Sequence, residues 1–269
     1  MTVLADILAA TRRKVRECRS QANLGELEKQ AAAHASRGFR KALEAASRSG
    51  PAVIAELKKA SPSRGVIRSD FDAAALAREL EHAGAAALSV LTDEEYFSGS
   101  LTNLQAASKA AKLPCLRKEF IVDEFQILEA QANGADAILL ITAALAQEEL
   151  LALAKRAAEL QLDVLCEVHD EEELGRALDA GCDLVGVNSR DLKTFKVDLS
   201  AAFRIADMLP HGIIAVAESG IESGADIARL RAAGYDAFLI GETLMRAPRP
   251  GEALKALLAQ TTAASSGAS

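Results

Sequence analysis

The chain has 269 residues, half of them hydrophobic, and a formal net charge of −7. That length can bury one large α/β core or two small ones, so domain count has to come from pattern. The acidic balance offers no overall field for nucleic acid or an anionic membrane surface, so an anionic ligand must be held locally.

The opening stretch MTVLADILAATRRKVRECRS spaces Leu4, Ile7, Leu8 and Val15 at helical intervals, places its charges after the apolar part, and lacks a continuous apolar core. It predicts an amphipathic helix and not a signal peptide; with no later apolar run of membrane-spanning length, the expectation is a soluble, cytoplasmic protein. Arg12, Arg13, Lys14, Arg16 and Arg19 read as a solvated helix face, because no aromatics interleave them as a nucleic-acid patch would require. This helical extension, residues 1–50, ends at the breaker Ser49-Gly50-Pro51.

From residue 53 short apolar runs alternate with longer helical patterns, as in repeated βα units. The runs are VIAELK (53–58), ALSVLT (87–92), CLRKEF (115–120), AILLIT (137–142), DVLCEV (163–168), LVGVNS (184–189), IIAVAES (213–219) and AFLIGE (237–242), eight in all. Ala-rich helices end in glycine turns before several of them: LEHAGAAAL, AQANGADAIL, ALDAGCDLV and LRAAGYDAFL. Glycine adopts the left-handed C-cap conformation at little cost. The pattern favours a closed (β/α)8 TIM barrel over 51–260. A doubly wound open sheet is the alternative, but it would carry a glycine-rich turn after its first strand, where this chain has Ser61-Pro62-Ser63. The small, polar TTAASSGAS (261–269) is expected to be a disordered tail.

Cys18, Cys115, Cys166 and Cys182 are far apart, with no C-x-x-C pair and no nearby histidine, so they read as small hydrophobes in a reducing compartment and not as zinc ligands. No metal and no cofactor is expected.

In a barrel the chemistry lies at the carboxyl ends of the strands. Those ends are unusually polar: Glu56 and Lys58, Lys118, Glu167, Asn188, Glu218 and Ser219. Residues two apart on a strand share a face, so Glu56 and Lys58 point one way while Leu57 and Lys59 point the other. One Glu–Lys pair could serve packing alone. Two lysines and three glutamates converging from four strands suit general acid and base catalysis, since such a cluster shifts pKa values in opposite directions. His34, His82, His169 and His211 are scattered; His169, just past the fifth run, reads as a surface or structural residue. ESGI (218–221) and IGETL (240–244) place glycine and small or polar residues after the last two strands, which suits a phosphate.

With IAELKKASPSRG, SVLTDEEYFSGS, LRKEFIVDEFQI, LCEVHDEEEL, GVNSRDLKTFKVDL and AESGI in this order and spacing, the chain resembles the indole-3-glycerol phosphate synthase family over the barrel and the extension ahead of it. The resemblance implies a metal-free closure of 1-(2-carboxyphenylamino)-1-deoxyribulose 5-phosphate, with loss of CO₂ and water, to indole-3-glycerol phosphate. It implies Lys118 as the principal general acid and Glu167 as a base that organises that lysine. Lys58 is implied as a substrate contact and candidate acid for dehydration, with Glu56 its partner or the base. Asn188 would orient the leaving hydroxyl and Arg190 the carboxylate end, while Ser61, Phe120 and Glu218 contact substrate. Ser219, Gly220 and Gly241 would cradle the phosphate. Two positions depart from the commoner family pattern: Ser189 stands where an amide is usual, and Glu242 where some relatives have serine. A carboxylate beside a phosphate is repulsive, so Glu242 is kept out of the site.

Three rivals are a Schiff-base aldolase using a barrel lysine, a phosphoribosylanthranilate isomerase, and a catalytically silent barrel acting as a scaffold. The isomerase would not need E-L-K-x-x-S-P-S, and a scaffold has no need of inward charges that cost stability. A monomer acting on a phosphorylated small molecule is the expectation.

Overall fold

Eight parallel strands close into a barrel in the computed structural model, which describes residues 3–191 and 196–266. They are β1 (Ala52–Leu57), β2 (Ala87–Leu91), β3 (Cys115–Lys118), β4 (Ala137–Ile141), β5 (Asp163–Val168), β6 (Leu184–Asn188), β7 (Ile214–Glu218) and β8 (Ala237–Ile240). Each pairs with its sequence neighbours, and β8 returns to β1 with Ala52 opposite Ala237. The (β/α)8 expectation holds, with strand ends within two residues of those read from pattern.

Alternation along each strand sorts the side chains into two cores. Ile54, Leu116, Leu139, Leu165, Val216 and Leu239 fill the barrel. Val53, Leu88, Ile138, Cys166, Val185 and Phe238 face outward against the helices. Glu56 shares parity with Ile54, Lys118 with Leu116, Glu167 with Leu165 and Glu218 with Val216, so the interior columns turn charged at their carboxyl ends. Leu57 lies in the outer core, as its parity requires.

The turns before the strands hold the amino end together. Gly84, Gly134, Gly181 and Gly234 all have positive φ, from 77° to 106°, as left-handed helix caps. The Asp that follows in two of these turns accepts a hydrogen bond from an N–H at the start of the preceding strand: Cys115 N to Asp136 Oδ2 at 2.7 Å, and Ala215 N to Asp236 Oδ2 at 3.0 Å. Buried backbone donors need such partners.

The extension comprises α1 (Val3–Gln21), α2 (Leu24–Ala33) and α3 (Phe39–Ser47). α3 plugs the amino end of the barrel with Phe39 and Leu43, both fully buried. α1 lies at the opposite end. Its basic residues pair with acids that follow β2, β3 and β4 in the chain: Lys14 with Glu94 at 2.8 Å, Arg19 with Asp123 at 3.2 Å and Arg12 with Glu149 at 3.1 Å. The basic face is therefore partly occupied by carboxylates at that end of the barrel. Of the four apolar positions that predicted α1, Ile7 and Val15 are buried.

Around the barrel run α4 (Ala73–His82), α5 (Leu101–Ala110), α6 (Glu124–Ala132), α7 (Gln147–Glu159), α8 (Glu171–Asp179), α9 (Ser200–Ala206), α10 (Gly224–Ala232), the short α11 (Glu242–Arg246) and α12 (Pro250–Ser266). The last runs past the boundary read at 260. Thr261 is buried and its hydroxyl donates to Leu258 O; 267–269 lie outside the described residues. Among the described residues no helix is long and apolar enough to cross a membrane.

Candidate active site

A cavity of about 1230 Å³ opens at the carboxyl end of the barrel. Its walls include the five residues proposed as catalytic, Glu56, Lys58, Lys118, Glu167 and Asn188, and also Phe120, Arg190, Glu218, Ser219, Gly220 and Gly241. Ser61 is the exception. It is buried in a two-residue-stranded hairpin beside the mouth, with its Oγ 3.5 Å from Ser63 Oγ, while Pro62, Ser63 and Arg64 line the wall in its place. Lys193 to Phe195 and Leu192, next to Arg190, lie outside the described residues.

The strand ends bring the charges into two linked groups. Lys58 Nζ is 2.7 Å from Glu56 Oε1. Across the floor, Lys118 Nζ donates to Glu167 Oε2 at 3.0 Å and to Glu218 Oε2 at 2.5 Å. Glu56, Glu167 and Glu218 are each at most 4% exposed. Carboxylates at this depth need compensation, and the cluster supplies it unevenly.

Burial disfavours the lysine cation, but the charges of Glu218, Glu167 and Glu56 outweigh it and hold Lys118 protonated above the ordinary lysine range. Burial likewise opposes ionisation of Glu167, yet Lys118, His169 and the Asn188 side chain bring its carboxyl down to about 2. Glu218 goes the other way: burial, reinforced by the neighbouring Glu167 and Glu56 charges against the pull of Lys118, pushes it up to about 7. Its Oε1 is buried without a hydrogen-bond partner. Two carboxylates on one lysine thus differ in character, one a fixed anion and one able to carry a proton near neutrality.

Two glycines make room for these acids. A Cβ on Gly186 of β6 would collide with Glu218 Oε1, and one on Gly241 with Glu56 Oε1. At the end of β7, Ser219 has φ +63° and Gly220 +78°. A left-handed conformation at a non-glycine residue is uncommon, and such strain is kept where the surroundings impose it. Here it falls in the loop read as a phosphate cradle.

Glu242 requires a correction. It lines the cavity, with its carboxylate 3.1 Å from Arg64 Nε, 3.8 Å from Arg190 Nη2 and 3.8 Å from Arg246 Nη1. These arginines offset its charge, which weakens the objection of repulsion. Ser189 stays out of the cavity walls, its hydroxyl buried without a partner. Sequence reasoning also missed Leu4 and Ile7, which bring α1 into the wall, and His169, whose ring lies 3.5 Å from Glu167 Oε1. The parity of His169 with Glu167 was a usable signal; nothing local announces that α1 crosses the mouth. Among the described residues no cluster of His, Cys, Asp and Glu could hold a metal ion.

A family model described as "Indole-3-glycerol phosphate synthase" matches residues 4–257. A curated relative of that name from Koribacter versatilis is 57% identical, covering 96% of this chain and 99% of its own. One from Burkholderia multivorans is 49% identical over 94% and 97%, and one from Acidithiobacillus ferrooxidans 48% over 95% and 98%. Among solved structures, thiamine phosphate pyrophosphorylase from Pyrococcus furiosus aligns with a TM-score of 0.60 at 17% identity, over 81% of this chain and 98% of that one, a likeness of fold alone.

Proposed function

The chain belongs to the indole-3-glycerol phosphate synthase family, and on that premise we propose how its own side chains share the work. The family reaction is a carboxy-lyase step of tryptophan biosynthesis. The ring carbon bearing the carboxylate attacks the ketone, and the oxygen takes a proton. CO₂ leaves with its bonding pair returned to the ring, then the hydroxyl departs as water while a C–H proton is lost. A carboxylate that leaves as neutral CO₂ means that one proton is taken up per turnover.

Lys118 is the acid for ring closure. What carries this reading is its place on the cavity floor, bonded to Glu167 and Glu218 and held as the cation. A lysine so held is fully protonated yet slow to give its proton, until alkoxide character at the ketone oxygen makes the transfer favourable. Glu218, with its carboxyl near neutrality, is suited to return a proton to Lys118. Glu167, a fixed anion, is the base for the C–H proton. Lys58, with Glu56 at 2.7 Å, faces the same cavity and is the acid for the leaving hydroxyl, which Asn188 orients. Arg190 meets the carboxylate end, Phe120 packs on the substrate ring, and Ser219, Gly220 and Gly241 cradle the phosphate.

A monomer in the cytoplasm fits this reading, because the barrel buries its own core and the cavity is bounded by one chain; residues 1–50 act as an extension of the barrel domain 51–260. Turnover tests the assignments directly. The chain contains no tryptophan, so indole product fluoresces over an almost dark background. The signal should saturate with substrate and vanish in Lys118→Ala; near-normal turnover by that folded variant would refute the role of Lys118.

A further inference from the structure

His169 follows the last residue of β5 and lies two positions beyond Glu167, on the same side of the strand. Glu173, in the first turn of α8, reaches back to it. Its Oε2 accepts the backbone N–H of His169 at 2.8 Å and lies 3.0 Å from Nδ1 of the ring. The other ring nitrogen, Nε2, is buried, lacks a hydrogen-bond partner and lies 3.5 Å from Glu167 Oε1. Lys118 holds the second oxygen of the same carboxylate. Glu167 therefore sits between the Lys118 ammonium and the His169 ring, one on each oxygen.

A neutral imidazole has a single N–H. If that N–H serves Glu173, a lone pair faces Glu167; only the imidazolium suits both carboxylates. We propose that His169, anchored by Glu173, is a positioning residue that keeps Glu167 oriented and ionised after Lys118 has given its proton to the substrate. At that moment Glu167 loses its other cationic partner while Glu218 and Glu56 remain close, and without His169 it would take up a proton too early to act as base. The inference rests on the reading of Glu167 as the base.

The charged groups around the ring are Glu173 from α8, Glu167 from β5 and Glu218 from β7, with Lys118 of β3 beyond Glu167. Burial opposes the imidazolium, but the Glu173 hydrogen bond and the Glu167 charge outweigh it and raise the ring above the ordinary histidine range. His169 is therefore cationic below its raised pKa, and Glu167 loses this support as pH climbs through it. The chemical step should slow on the alkaline side.

The test is the single-turnover rate constant with the carboxyphenylamino-deoxyribulose phosphate, measured from about pH 6 to about pH 9 around the histidine range. His169→Gln should lower the rate constant about tenfold at neutral pH, the equivalent of one pKa unit of electrostatic support in the step after Lys118 has given its proton. KM should change little, and the alkaline limb attributed to His169 should disappear. Glu173→Gln keeps the ring but removes its anchor, so the limb should move to lower pH. A His169→Gln enzyme with the wild-type rate and profile would overturn the proposal, as would a loss of rate that leaves the limb in place. Glu167→Gln separates the two readings: appreciable turnover by that variant removes Glu167 as the base. An inactive Glu167→Gln beside a wild-type-like His169→Gln removes only the role of His169.

Discussion

At the amino end of the barrel Asp136 accepts from Arg37 N and Nε, both at 2.8 Å, and from Cys115 N at 2.7 Å, with His34 Nε2 at 3.2 Å. At the carboxyl end Glu218 shares one lysine with Glu167 and leaves Oε1 without a partner. Both acids are buried, yet their pKa values move in opposite directions. Burial works against ionisation of Asp136, but the His34 and Arg37 hydrogen bonds outweigh it and hold its carboxyl below the usual range. At Glu218 burial wins. A charge that is fully satisfied contributes to folding, whereas one left short of partners keeps a proton within reach at a cost in stability. The barrel therefore separates the two tasks by its ends.

The sharpest way to break this contrast is Lys118→Ala. It should lower kcat by ~10²- to 10⁴-fold, the usual worth of a general acid, with the circular dichroism of the folded barrel retained. At the other end Phe39→Ala should do the reverse. Emptying the fully buried plug should cost ~3–5 kcal/mol in urea unfolding, while kcat of the folded fraction stays near wild type. If kcat fell in proportion, the two ends would not be separable.

Gly186→Ala is a subtler probe, because its new methyl would press on Glu218 without removing any functional group. Displacing a catalytic carboxylate by about an ångström costs on the order of 10²-fold, so kcat should drop well beyond the change in the unfolding midpoint. An equal rate would show that Glu218 can move without consequence.

The smallest expected effect is a slope. The folded pKa of Glu218 is raised from 4.5 to about 7, so its contribution to stability is present below 4.5 and is lost as pH rises to about 7. Asp136 has the opposite sign, with its contribution present above its ordinary 3.8 and lost as pH falls below that value. Glu218→Gln should flatten the decline of urea stability between pH 4.5 and 7, and Asp136→Asn should flatten the acid decline instead. Exchanged slopes would overturn the assignment of the two acids.

Much of this molecule is legible in its sequence. The eight strands, the glycine caps and the inward columns that carry Glu56, Lys118 and Glu167 all follow from local periodicity, because side-chain direction on a strand is set by parity over a few consecutive residues. The Ser-Pro-Ser segment reads as a turn and is one, but Ser61 is not among the residues that line the cavity while Arg64 is. The helix α12 continues through Ser266, into the segment whose small, polar composition reads as a tail.

What tertiary structure decided was which charges meet. Lys118 and Glu218 are separated by 100 positions and become partners only when the barrel closes. Closure likewise sets the burial that splits Glu167 from Glu218 and brings Glu218 into the room that Gly186 leaves. The arginines that neutralise Glu242 and the arrival of Leu4 and Ile7 over the mouth depend on it too. The physical reason is that secondary structure is written in short-range pattern, whereas a pKa depends on desolvation and on charges brought together from distant parts of the chain. The residue types at the site were therefore determined by the sequence, and the opposite shifts of Glu167 and Glu218 by the fold.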